Sequence, residues 1–271
     1  MSYRIDHDLH IHSGGSMCSG DPEQTPERIL RYAVEEGFSA VGLSDHFWDE
    51  TVPMPIGGWG PDFYTSQNWE HIRKQLPLPH HEGIRFLFGA EVDMTLDGTV
   101  GISAERLAQL DYLLISISHF HMTDFTILAE DAATPAGRAQ VLLDKLERVL
   151  AMPLPWHKIG LAHLAGPKLG GGDPANHCEV LRLVQGEQLT TLFKKAAAFG
   201  VGIELNTATF GFADEAEERA VVDFYAHAKE CGCRFFFGSD AHGPGHFAHH
   251  RPRGQRMADA LGLREEDLFR V

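Results

Sequence analysis

The sequence predicts an α/β protein, a single domain with a parallel sheet and crossover helices. Three observations point there. Short β-rich runs alternate with longer stretches whose apolar residues recur at three- and four-residue spacing. Seven such runs can be read. The 271 residues, 43% hydrophobic and 23% charged, can bury one large core, and α/β barrels of this size commonly form one domain. One domain spanning residues 1–271 is expected.

The first run covers Tyr3 to His10. A helix opening at Pro26 and containing Ala33 and Val34 closes at Gly37, and the second run, SAVGLSD, ends at Asp45. The third, IRFLFGAEVD, carries Glu91 near its end, and the fourth, DYLLISIS, runs into His119. The fifth, HKIGLAH, finishes at His163, the sixth, GVGIELN, at Asn206, and the seventh, CRFFFGSD, at Asp240. Helical spacing is predicted over Pro135 to Leu150, Gly186 to Phe199 and Asp214 to Glu230, with a short helix after Gln255. Two long connections interrupt the rhythm: Phe47 to Gly83, holding Trp48, Trp59, Phe63, Tyr64 and Trp69, and Gly166 to Cys178 with the run GPKLGGGDP. Long connections in compact domains are often binding loops or lids.

A formal charge of −15 argues against nucleic acid polymers as partners, because that binding rests on Lys and Arg displacing counterions. No stretch approaches the roughly 20 apolar residues of a membrane helix. The N-terminal MSYRIDHDLHIHS lacks a signal-peptide pattern, so a soluble cytoplasmic protein is expected. Cys18, Cys178, Cys231 and Cys233 form no CxxC pair and read as buried free thiols. The chain has 17 histidines, the more telling excess.

Nearly every run ends in a residue able to bind a metal: His10 and His12, His46, Glu91, His119, His163, and Asp240 with His242. In an α/β barrel the carboxyl ends of the strands converge on one mouth, which gathers ligands that are distant in sequence. His-x-His places both rings on one face of an extended strand. Imidazole with carboxylate suits Zn, Mn or Fe. His7, His71, His80, His81, His121, His157, His177, His227, His246, His249 and His250 fit no strand end and read as surface or rim residues, with His121 and His246 the leading exceptions.

DLHIHS at Asp8 to Ser13, LSDH at Leu43 to His46, GAEVD around Glu91, ISHFH around His119, LAHLA around His163, IELNT around Asn206 and GSDAH at Gly238 to His242 resemble the polymerase and histidinol phosphatase (PHP) superfamily, in its histidinol-phosphate phosphatase-like members. The resemblance implies a distorted (β/α)7 barrel, TIM-barrel-like, with two or three divalent ions. By the same resemblance His10, His12, Glu91 and Asp240 hold one ion, and Glu91 bridges to a second held by His119 and His163. His46 and His242 contribute to a third, for which family members often add a histidine from the segment after His-x-His. Here that segment, GGSMCSGD, has none. Asp21 is the favoured substitute over Cys18, and a weak or empty third site is the remaining reading.

The expected chemistry is hydrolysis by a metal-activated water held at Glu91 and Asp240, since two cations about 3.5–4 Å apart acidify a bridging water and polarise a phosphoryl oxygen. No GxSxG elbow, Ser-His-Asp order or P-loop offers a protein nucleophile or phosphate cradle. Asp45 either orients a ligand imidazole or caps a helix. Asn206 is a candidate contact to substrate or water, and Lys168 and Arg251 are candidate phosphate contacts that read equally as solvated charges. The aromatic connection either covers a small organic group or packs on the rim. The resulting expectation is a phosphoesterase acting on a small phosphorylated metabolite, with L-histidinol phosphate the leading phosphomonoester by resemblance. A nucleotide or phosphodiester hydrolase is the near alternative. A non-catalytic metal-binding or sensory module and an amidohydrolase, for which no strand-end lysine is seen, are the others.

Overall fold

The computed structural model describes residues 3–55, 63–210 and 214–271. Seven strands, β1 (His7–Asp8), β2 (Ala40–Leu43), β3 (Arg85–Asp93), β4 (Tyr112–Ser116), β5 (Ile159–Ala162), β6 (Gly202–Asn206) and β7 (Arg234–Gly238), lie in sequence order. Each pairs in parallel with the next. The last returns to the first: the Leu9 N–H donates to Phe237 O at 2.9 Å, the Asp240 N–H donates to His10 O at 2.7 Å, and Ile11 bridges Ala241 in parallel. The result is the predicted distorted (β/α) barrel, nearly closed, with β1 reduced to two ladder residues.

Helices Pro26–Glu36, Pro135–Val149, Glu187–Phe199 and Glu215–Glu230 fall within two residues of the predicted spans. Side-chain oxygens of Thr25, Thr134 and Asp214 accept first-turn N–H groups of three of them, and left-handed Gly37 (φ 67°) and Gly200 (φ 73°) end two. Two regions differ from expectation. Within the stretch read as a Gly-rich connection, Asp173 caps a helix at Pro174–Val184 whose first residue is proline, a position that loses no helical bond. The final helix is Phe247–Leu261 and carries Pro252 inside it. The helix expected only after Gln255 thus begins at Phe247, and a proline in an early turn removes a single i−4 bond.

Because side chains alternate with period two, each strand divides its residues between two environments. Phe88, Ala90, Val92, Leu113, Ile115, Leu161, Ile203, Leu205, Phe235 and Phe237 face the helices in the main core. On the opposite face Leu87, Tyr112, Leu114 and Phe236 join Leu9, Ala162 and Phe269 as an apolar plug. Tyr112 fills the space left at Gly42 and Gly89, where any Cβ would collide with its ring, and its hydroxyl donates to Leu9 O at 2.7 Å. Continuing along the same inward register towards the carboxyl ends, the residues become polar: Glu91 and Asp93 on β3, Glu204 and Asn206 on β6.

Three histidines expected at the surface are buried instead: His7, His177 and His250. Each is tolerated inside because its ring nitrogens are paired. His7 Nε2 accepts from the Phe237 N–H at 2.9 Å. His250 Nδ1 lies 2.8 Å from Thr207 Oγ1, and His177 Nδ1 lies 2.7 Å from Glu217 Oε1. All four cysteines are free; Cys233 is buried, Cys178 and Cys231 half-buried, and Cys18 exposed, against the expectation of uniformly buried thiols. Trp48, Phe63 and Tyr64 pack with Met122 and Phe125 on the barrel rim, and Trp69 joins the main core. Trp59 lies outside the described residues. Among the described residues no helix is long and apolar enough to cross a membrane.

Lys145, on the Pro135–Val149 helix, is buried with its Nζ donating to Met94 O at 2.6 Å. Burial lowers it to about 7. An unfolded lysine titrates near 10.4, so between these values the unfolded chain binds more protons and stability rises with pH. Urea unfolding of the wild type relative to Lys145→Met should show this rise from about pH 7 to about pH 10. A pH-independent difference would contradict the buried, depressed ammonium.

Candidate metal centre

Every strand-end residue singled out from the sequence joins one cluster of ligand atoms at the mouth. His10 Nε2 lies 3.1 Å from His12 Nε2, 3.2 Å from Glu91 Oε2 and 3.6 Å from Asp240 Oδ1. His12 Nε2 lies 3.2 Å from Asp240 Oδ1 and 3.5 Å from Glu91 Oε2. The second oxygen of Glu91, Oε1, faces the other way, 2.9 Å from His163 Nε2 and 3.7 Å from His119 Nε2. Glu91 thus stands between two groups of potential ligands, His10, His12 and Asp240 on one side and His119 and His163 on the other. A third group gathers His12, Cys18, His46 and His242, with all four ligand atoms within 4.8 Å of one another.

The backbone that delivers these groups is unusual at two points. His163 (φ 34°) and Asp240 (φ 52°) adopt left-handed conformations just past the ends of β5 and β7. Such a residue costs about 1–3 kcal/mol and persists where surrounding structure imposes it. Gly238 is needed beside them: a Cβ there would run into the Glu204 carboxylate and sit 2.5 Å from His10 Cβ.

Residues around the cluster fix where the ring protons reside. His10 Nδ1 faces Glu204 Oε1 at 2.8 Å, His119 Nδ1 faces Asp93 Oδ1 at 2.9 Å, and His242 Nδ1 faces Asp240 O at 2.7 Å. These partners only accept, so Nδ1 carries a proton in each ring and Nε2 is the nitrogen left for a cation. Ser118 Oγ contacts His163 Nδ1 at 2.9 Å while donating to His163 O at 3.1 Å, which favours the same tautomer. Glu204 also accepts the His163 N–H at 2.6 Å, so one buried carboxylate ties two ligand positions together.

Burial alone would raise Glu91 and Asp240, yet the neighbouring histidines hold both carboxyls well below their usual range, His46 and His10 leading at Glu91 and His10 at Asp240. Burial lowers His46 well below the ordinary histidine value and lowers His12 and His119. At His10 burial is outweighed by the carboxylates of Glu204, Asp240 and Glu91, which hold the ring well above it. Two buried nitrogens, His12 Nδ1 and His46 Nδ1, have no hydrogen-bond partner, although the latter lies 3.3 Å from Glu91 Oε2 without bonding geometry. An unpaired buried polar group costs about 1–3 kcal/mol. Anionic oxygens, imidazole lone pairs and orphaned nitrogens at these separations form a donor set that fits divalent cations.

Other candidates separate on inspection. Asp21 is outside all three groups; its Oδ1 accepts the Glu23 N–H at 2.9 Å, which spends the carboxylate on a turn, and Cys18 occupies the place expected for it. Arg251 is not in the mouth. It pairs with Glu36 at 2.9 Å and lies over the Phe38 ring, and both partners precede β2 at the opposite end of the barrel. Lys168 does line a small recess with Ser118, His163, Thr209 and Asp240. Asn206 Nδ2 donates to Asp240 Oδ2 at 3.3 Å and so steadies a candidate ligand. Asp45 neither caps a helix nor holds an imidazole: its carboxylate accepts the Ser13 N–H and the Ser13 hydroxyl, each at 2.6 Å, and anchors the chain just after His12. His121 is exposed beside His119, with ring centroids 5.3 Å apart, and His246 accepts the His242 N–H at 3.1 Å. Glu204 and Asp93 were missed as functional residues. Their signal was period two, since Glu204 precedes Asn206, and Asp93 follows Glu91, by two positions on one strand face.

A comparison with curated protein sequences returns no significant match. Among solved structures, the histidinol phosphate phosphatase from Lactococcus lactis, complexed with zinc, L-histidinol and phosphate, is 15% identical, with a TM-score of 0.57 over 97% of this chain and 95% of its own. A candidate histidinol phosphatase from Listeria monocytogenes is 17% identical, with a TM-score of 0.56 over 89% of this chain and 96% of its own. At these identities the likeness establishes the fold. The sequence model of the PHP domain matches residues 8–208, which carry seven of the nine residues that make up the three groups of potential ligands before β7 returns Asp240 and His242 to them. With this match over most of its length, the chain belongs to the PHP domain family.

Proposed function

We propose that this protein is a metal-dependent phosphoesterase that hydrolyses a small phosphomonoester, with L-histidinol phosphate the first substrate to test. The observation that carries the reading is Glu91, whose two oxygens face separate groups of ligand atoms. Cations held on either side would supply Lewis-acid polarisation of a phosphoryl oxygen and an acidified water. His10, His12, Glu91 and Asp240 form the proposed first holding set, His119 and His163 with Glu91 the second. Glu204, Asp93 and Ser118 keep the Nδ1 protons of His10, His119 and His163 away from the cavity, leaving the Nε2 lone pairs turned inward. Lys168 at the recess beside His163 and Asp240 offers positive charge to an incoming phosphate.

The neighbour from Lactococcus lactis, which holds zinc, L-histidinol and phosphate, supports the choice of substrate. The packed aromatic cluster Trp48, Phe63, Tyr64, Met122 and Phe125 walls one side of the mouth beside His46, with the His46 and Phe63 rings 5.1 Å apart, and favours a small molecule over a polymer. That Cys18 stands beside His46 and His242 weakens the case for a non-catalytic remnant, which rested on a missing ligand.

Protein loaded with zinc or manganese should hydrolyse L-histidinol phosphate faster than phosphodiesters, nucleotides or amides. His10→Ala and Glu91→Ala should each reduce turnover by at least about 100-fold, in line with loss of ligand geometry. Full activity in both variants would reject the site, and preference for a diester would move the substrate class. Glu204→Gln makes a finer test, since an amide can accept from only one of the His10 Nδ1–H and His163 N–H donors and turns its own NH2 towards the other. It should lose about 10–100-fold in metal affinity or kcat, with KM changed little. A change confined to KM would contradict the positioning role.

A further inference from the structure

We propose that Cys18 supplies a sulfur donor to the third cation position that the family resemblance implies at His46 and His242, where the cluster borders His12, and that this thiol makes the position select a zinc-type ion over magnesium or manganese. The inference rests on reading the mouth as a metal cluster but not on the identity of the substrate.

Three independent features place the thiol there. Its sulfur is grouped with ligand nitrogens of His12, His46 and His242, whose rings are themselves close: centroids 4.3 Å apart for His12 and His242 and 4.7 Å for His12 and His46. The turn that carries Cys18 is fastened at both ends. Ser13 is held by Asp45, and Ser19 Oγ donates to His242 O at 2.5 Å, tying the segment directly to another member of the group. Finally, among the described residues His12 Nδ1 and His46 Nδ1 are buried imidazole nitrogens with no hydrogen-bond partner, on two members of this group, although His46 Nδ1 also lies 3.3 Å from Glu91 Oε2. The thiol has one further contact, Ser16 Oγ at 3.1 Å, which leaves sulfur valence for a cation.

The donor types separate this site from its neighbours. The groups built on Glu91 and on Asp240 mix imidazole with carboxylate oxygen, which serves zinc, manganese and iron alike. The Cys18 group has nitrogen and sulfur donors and no carboxylate. Thiolate and imidazole favour borderline-soft ions in tetrahedral surroundings and discriminate against hard, oxygen-seeking ones. Coordination exchanges the thiol proton for the metal: the S–H bond breaks, the sulfur lone pair forms the bond to the cation, and the proton leaves to solvent. One mouth therefore holds two kinds of site with different metal preferences.

Cobalt(II) replaces zinc with an optical signature, because a thiolate bound to it gives an intense charge-transfer band in the near ultraviolet. Cobalt-loaded wild type should show that band, Cys18→Ser should lose it, and Cys18→His should lack the band yet fold and bind. Metal analysis after zinc loading should give one ion fewer per chain in Cys18→Ser than in wild type, the ion being restored in Cys18→His. Loading with manganese alone should give the wild type the stoichiometry of Cys18→Ser. Cobalt binding without the band in wild type, or equal zinc content in wild type and Cys18→Ser, would overturn the assignment. Phosphate release measured on the same samples separates the two readings: a band without hydrolysis keeps this site and rejects the phosphoesterase, and hydrolysis without a band does the reverse.

Discussion

Imidazole nitrogens and carboxylates brought together at one mouth organise this molecule. The Nδ1 protons of His10, His119 and His242 are committed to Glu204, Asp93 and the Asp240 carbonyl, so their Nε2 atoms are the ones left for the mouth. They face Glu91 and Asp240, which the surrounding histidines keep ionised although both are buried. Ionised carboxylates buried in a medium of low dielectric need positive charge beside them, which protonated His10 or a bound cation supplies. A divalent ion held there would share its binding free energy with folding.

The barrel is shaped to this requirement. An apolar plug around Tyr112 and Phe236 fills the lower interior, and the next inward positions along β3 and β6 are acids. Space is supplied by glycine where it is short: Gly42 and Gly89 admit the Tyr112 ring, and Gly238 admits the Glu204 carboxylate against His10. The left-handed backbones of His163 and Asp240 belong to the same economy, for each turns a candidate ligand into the mouth at the end of a short strand. Stability is drawn from the helix-facing core, which is continuous around the barrel, and the mouth spends part of it.

How much of this can be read from the chain alone depends on the range of the signal. Strand order, the helices Pro26–Glu36, Pro135–Val149, Glu187–Phe199 and Glu215–Glu230, and the strand-end candidate ligands rest on local periodicity and were legible, because alternation fixes which residues share a face. Helix Pro174–Val184 was read as part of a Gly-rich connection and the final helix was placed only after Gln255, where local cues fell short of what tertiary packing supports. Roles set by partners remote in sequence were not legible. Arg251 looked like a mouth cation but is claimed by Glu36, Asp45 is claimed by Ser13, and the buried His7, His177 and His250 find partners that no spacing announces. The choice between Cys18 and Asp21 turned on a single turn of chain, where Asp21 folds back onto the Glu23 N–H and leaves the thiol beside the histidines.

The claim beneath all of this is that Glu91 is shared between cations. Diffraction data collected on zinc-loaded crystals on both sides of the zinc absorption edge would locate those ions directly. The account predicts anomalous peaks flanking the Glu91 carboxylate, one towards His10, His12 and Asp240 and one towards His119 and His163. Stoichiometric zinc found elsewhere on the protein, with no peak beside Glu91, would contradict it.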